Sequence, residues 1–142
     1  GLGLLAASTV ASAQSSNPVI QGGVQGIELC PQFVCGAAIF TGAFQGQVGA
    51  NPNAIGFITA AMTHEELPDP GEFAAITGGV WELRTLTRRI RGVVLGGFLF
   101  NNGDNTFEVR ARLLLLSGGS GTIAFGGVLN HNTLIPTFGK DV

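Results

Sequence analysis

Residues 106–116 read Thr-Phe-Glu-Val-Arg-Ala-Arg-Leu-Leu-Leu-Leu, and this alternation restricts the fold more tightly than any other stretch of the chain. Phe107, Val109, Ala111, Leu113 and Leu115 share one parity, while Glu108, Arg110 and Arg112 share the other. Successive side chains of a strand point to opposite faces, so a period of two predicts a strand with one face in a core and the other in water. A helix would scatter the same apolar residues around its circumference. The pattern recurs in residues 37–48, where Phe40, Phe44 and Val48 oppose Thr41, Gln45 and Gln47, and in residues 122–130, where Ile123, Phe125 and Leu129 align.

Residues with turn chemistry separate these runs. Asn101-Asn-Gly-Asp-Asn105 and Ser117-Gly-Gly-Ser-Gly121 predict hairpin loops, Asn51-Pro52-Asn53 predicts a turn, and Leu67-Pro-Asp-Pro-Gly71 predicts a break. Strands are expected over 19–29, 37–48, 54–64, 80–91, 91–100, 106–116 and 122–130, with a last short one in 134–138. One helical turn is allowed, where Asp69, Pro70 and Glu72 have N-terminal capping chemistry and Gly78 and Gly79 could stop it.

About eight strands joined mostly by short turns predict an all-β fold. The expected form is an antiparallel β-barrel of about eight strands, with a two-sheet β-sandwich or jelly roll as the alternative. Glycines inside the strands, at Gly42, Gly46, Gly56, Gly96, Gly97, Gly126 and Gly127, favour the barrel, because closing a sheet requires tight bends and bulges. The run Gly118-Gly-Ser-Gly-Thr-Ile-Ala-Phe-Gly-Gly127 resembles the glycine-rich strand turns of the dirigent and allene oxide cyclase type of barrel. That resemblance implies an architecture and assigns no functional residue.

The chain is 45% apolar but only 11% charged, against about 25% charged in an average globular domain, which argues for a real core and against disorder. A net charge of −2 provides no long-range field for nucleic acid or an anionic membrane surface. Arg84, Arg88, Arg89, Arg91, Arg110 and Arg112 supply most of the basic charge, and they are expected on solvated strand faces beside Glu82 and Glu108.

Residues 1–13 form a run of small and apolar residues ending in Ala11-Ser12-Ala13, which matches a signal-peptide core and its cleavage site. They are read as a partial signal peptide, with cleavage near 13/14 and residues 14–142 forming a single all-β domain. The protein is accordingly expected to be secreted, extracellular or at the cell surface. No transmembrane segment is expected: the leading run falls short of the roughly 20 apolar residues needed, and residues 90–100 are interrupted by Arg91 and glycines. Cys30 and Cys35, the two cysteines of the chain, predict a disulfide closing a small loop in an exported protein. A redox or metal role would call for C-x-x-C spacing or further ligands.

The chemistry-bearing groups fall at two strand ends: His64, Glu65 and Glu66, followed by Asp69, in one place, and His131 in another. Folded together they could form a polar or acid–base site. No G-x-S-x-G elbow or phosphate loop is present, and no cofactor or metal is expected. Trp81 shares a parity with Leu83 and reads as a core anchor.

The low charge and glycine-rich strands point first to a secreted non-catalytic structural protein: a surface, matrix or filament subunit that self-associates through apolar β surfaces as a homo-oligomer or filament. An alternative is a small barrel holding an apolar ligand, which a fully packed interior would oppose. A third is a small barrel isomerase or cyclase, which would be opposed if His64, Glu66 and His131 lay far apart on the outside.

Overall fold

A computed structural model describes residues 17–139, so the expected signal segment at 1–13 lies outside the described residues. The chain forms β1 (Ile20–Cys30), a helical turn α1 (Gln32–Cys35), β2 (Ala38–Val48), β3 (Asn51–His64), β4 (Phe73–Thr85), β5 (Arg89–Asn101), β6 (Thr106–Ser117), β7 (Thr122–Asn130) and β8 (Thr137–Gly139). Each strand pairs antiparallel with the next, and β8 pairs back onto β1 through Gln25 with Gly139, Gly26 with Phe138 and Ile27 with Thr137. The result is a closed antiparallel barrel of eight strands, not a sandwich. Closure leaves no long unpaired edge.

The parities read from the sequence hold. Phe44 and Val48 of β2, Leu113 and Leu115 of β6, and Ile123, Phe125 and Leu129 of β7 are all buried inside. The interior is filled at the end where β4 turns into β5. Trp81, Leu83, Ile90 and Leu113 are all but inaccessible there, and Trp81 Nε1 donates to the carbonyl of Leu114 at 3.2 Å. A buried indole is stable when its N–H finds such a partner.

On β1 and β2 the inward positions alternate large with absent side chains. Ile20, Val24 and Glu28 are spaced by Gly22 and Gly26, and these glycines sit opposite Gly46 and Gly42. The approach is close enough that a Cβ on Gly26 would fall 2.1 Å from the carbonyl oxygen of Thr41. Only paired glycines let the two backbones come this near.

Three local expectations are corrected. Residues 69–73 do not form a helix: Glu72 N donates to Asp69 O, Gly71 takes φ +81°, and β4 begins at Phe73. The helical turn lies instead in the cysteine loop, entered from Pro31 and ended by left-handed Gly36, whose N–H bonds Gln32 O at 2.7 Å. Asn51-Pro52-Asn53 opens β3, the turn being made by Gly49 and Ala50, with Gly49 at φ +62°. The expected strand over 80–91 is cut by the β4–β5 hairpin, which carries no glycine, proline or asparagine. It closes by Thr85 N to Arg88 O and by Arg88 N to Thr85 Oγ1, at 2.9 and 3.1 Å.

Candidate functional site

The C-terminal ends of β1, β3, β5 and β7 gather at the end of the barrel opposite the packed one. There the interior opens as a cavity of about 550 Å³. Phe40, Met62, Ile76, Leu99, Phe107 and Leu129 make its walls. These are inward strand positions, so the cavity is the upper half of the same interior that Trp81 and its neighbours fill below.

The turn α1 borders the opening, with Gln32 and Phe33 both lining it. Two features hold it there. The expected disulfide joins Cys30 at the end of β1 to Cys35. The Gln32 side chain then pairs with the backbone of His64, donating from Nε2 to its carbonyl and accepting its N–H on Oε1, both at 2.8 Å. A side-chain amide thus completes the hydrogen bonding at the end of β3 as another strand would.

Two polar atoms face this apolar space without a hydrogen bond. Glu28 lies on the inward face of β1 opposite Phe40, is 6% exposed, and is anchored by its amide, which donates to Pro136 O at 2.9 Å. Its Oε1 is 3.4 Å from His131 Nε2, and neither atom has a hydrogen-bond partner among the described residues. His131 follows β7 directly. Its amide donates to Asn105 O at 2.9 Å, its carbonyl accepts from Asn105 Nδ2 at 3.1 Å, and its ring meets Phe107 edge-on with centroids 5.3 Å apart. The imidazole is therefore positioned by the β5–β6 loop and β6 together.

Burying a carboxylate without hydrogen bonds is costly, and buried polar groups in native proteins are nearly always partnered. Here the carboxylate and the imidazole face each other across 3.4 Å at the cavity wall, with no hydrogen bond to either atom among the described residues.

The structure brings His64, Glu66 and His131 to the lining of this one cavity. His64 occupies the rim, with Nδ1 against the carbonyl of Glu65. Glu65 is turned toward β4, where its Oε1 accepts the Ala75 amide at 2.8 Å and its own amide donates to Ala75 O at 2.9 Å. Glu28, the most buried polar residue of the site, is absent from the sequence-derived set. It shares the parity of Ile20 and Val24, but apolar residues of the other parity, Val19 and Leu29, leave the inward face of this stretch unmarked in the sequence.

A second hollow of about 670 Å³ lies on the outer side beside β7, β8 and β1, lined by Gln25, Asp104, Glu108 and Asn130 among others. It contains no buried unpartnered polar atom. The expected pairing of arginines with strand-face carboxylates occurs on the outer surface, Arg89 and Arg84 with Glu82 and Arg110 with Glu108. The Arg89 hydrogen bond holds the Glu82 carboxyl below its ordinary value of 4.5. Hydrogen bonds from Thr106 likewise lower Asp104 from 3.8. Among the described residues there is no cluster of three or more metal-ligating side chains, and no helix long and apolar enough to cross a membrane.

Comparison with protein-family models, with curated proteins and with solved structures found no match to this chain.

Proposed function

We propose that this protein is a ligand-binding barrel that takes a small, largely apolar molecule into its open end and orients it through Glu28 and His131. The observation carrying this reading is the apolar cavity whose two buried polar atoms have no hydrogen bond among the described residues. Its volume of about 550 Å³ falls in the range of small-molecule sites, roughly 300–1,000 Å³. Eight strands are about the number at which a barrel can hold one small ligand. Export fits the same reading, because the Cys30–Cys35 disulfide is of a kind maintained in oxidising compartments. A carboxylate and an imidazole are also the groups of general acid–base chemistry, so the isomerase or cyclase reading attaches to this cavity and would be seen as turnover of the bound molecule.

The test is titration with a neutral apolar fluorophore, N-phenyl-1-naphthylamine. Saturable one-to-one enhancement is expected, weakened at least about tenfold by Ala38→Leu, which adds bulk to a lining position. Absence of saturable binding would refute the reading.

Assembly through apolar β surfaces is a second reading, and the outer face supplies an observation in its favour. Following the strand pairings, Ile39, Ala61, Val80, Val93 and Leu114 lie side by side across β2 to β6. Val80 is 58% exposed, and the exposed Phe57 and Leu116 belong to the same side. A contiguous apolar band of this kind suits contact with a second copy. Light scattering over a concentration series is expected to show association that Val80→Asp abolishes; a concentration-independent monomer would refute it.

A further inference from the structure

Resting on the cavity reading, we propose that the molecule bound there is a hydrophobic cation: an apolar body carrying one protonated amine, which pairs with Glu28.

The chemistry of the lining sets the sign of the charge. Its ionisable members are Glu28, His64, Glu66 and His131, with no lysine or arginine among them. A ligand carboxylate or phosphate would therefore bring its negative charge against Glu28 in apolar surroundings, with no lysine or arginine to offset it. A hydroxyl could donate to Glu28 Oε1 but would bring no positive charge to it. An ammonium group supplies both the donor and the charge. With the imidazole protonated on Nδ1, His131 Nε2 would accept a second N–H of the same group, since it lies 3.4 Å from Glu28 Oε1. Phe40 and Phe107 on the walls, with Phe33 at the opening, place aromatic rings around the space a cation would enter.

The distribution of charge over the whole barrel points the same way. Glu65, Glu66, Asp69 and Glu72 lie in or beside the β3–β4 connection, and Asp104 lies in the β5–β6 turn, all at the open end. Arg84, Arg88 and Arg89 lie at the packed end, around the β4–β5 hairpin. Arg110, on the outer face of β6, is occupied by Glu108 at 2.9 Å. A cleft rimmed by one sign of charge concentrates ligands of the opposite sign. The acidic rim would gather cations, and the buried Glu28, whose Oε1 makes no hydrogen bond among the described residues, would select among them.

Calorimetric titration with a matched set tests this: 4-phenylbutylamine, 4-phenylbutan-1-ol and 4-phenylbutanoate share one apolar body and differ in charge. The amine is expected to bind at least about tenfold more tightly than the alcohol, and the acid not to bind. In E28Q the amine should fall to the level of the alcohol measured on the same variant, with an unchanged circular-dichroism spectrum reporting an intact fold. E66Q should weaken the amine by less than E28Q does. Equal binding of amine and alcohol, preference for the acid, or an amine advantage that survives E28Q would each overturn the inference. If none of the three binds while N-phenyl-1-naphthylamine does, the cation inference falls and the cavity reading stands; if nothing binds, both fall.

Discussion

At the scale of single residues, Glu28 is the side chain least explained by folding. Its carboxylate faces an apolar cavity with only His131 Nε2 near Oε1, at 3.4 Å and without a hydrogen bond. If it is there for a ligand, it should be a burden on the empty protein. Replacing both members of the pair, Glu28→Leu with His131→Leu, is therefore expected to raise the unfolding free energy by about 1–3 kcal/mol in urea titration, in line with apolar replacement of buried charge pairs; a loss of stability would mean that the pair supports the fold. The outer surface behaves differently. Because the Arg89 hydrogen bond lowers the Glu82 pKa in the folded protein, this contribution is fully present above 4.5 and is lost as pH falls through the lower folded value. The difference in thermal midpoint between wild type and Glu82→Gln is expected to be small at pH 7, since the pair is solvated, and to vanish on acidification. A difference that grows toward acid pH would contradict the assignment.

Legibility at this scale depended on parity. His131 could be singled out because it stands between asparagines just after a clean strand. Glu28 could not, because apolar residues of both parities occur here: Ile20 and Val24 are buried, while Leu29 and Val19, just before β1, are exposed. With the inward face ambiguous, a lone carboxylate gave no sign of being buried. Its pairing with His131 also depends on barrel closure, which brings the end of β7 beside β1 through β8.

At the scale of elements, strands with strict alternation were readable and their junctions less so. The β4–β5 hairpin escaped because Thr85-Leu86-Thr87-Arg88 turns on backbone and threonine hydrogen bonds without a residue of positive φ. The helical turn was misplaced because both 70–79 and 31–36 begin with a proline and end with a glycine. A disulfide between Cys30 and Cys35 and the Gln32–His64 pairing favour the second. The in-strand glycines suggest bends that favour a barrel, but that Gly26 faces Gly42 across two closely approaching strands needed the register. Since a Cβ at Gly26 meets backbone and not a flexible side chain, Gly26→Ala is expected to destabilise the barrel by about 3 kcal/mol in denaturant titration. A near-neutral result would mean that β1 and β2 lie farther apart than described.

For the whole molecule, the defining property is that one end of the barrel is filled and the other is open. Alternation, turn spacing and glycine content were enough to anticipate a closed antiparallel barrel, because each is a local consequence of strand geometry. How completely the interior would be filled was not readable, since it depends on which inward side chains share a level. Large residues meet at the Trp81 level, whereas Ala38, Met62 and Glu28 leave space at the level of α1. The chain's single methionine and single tryptophan happen to mark these two levels, Met62 on the cavity wall and Trp81 in the packed end. The most direct measurement is therefore an NMR titration of methyl-labelled protein with 4-phenylbutylamine, following the Met62 methyl and the Trp81 indole N–H together. The expected result is a saturable shift of Met62, with contacts from the phenyl ring, while Trp81 stays in place. An unmoved Met62 at saturating ligand, or equal shifts at both residues, would contradict a ligand site in the open end of the barrel.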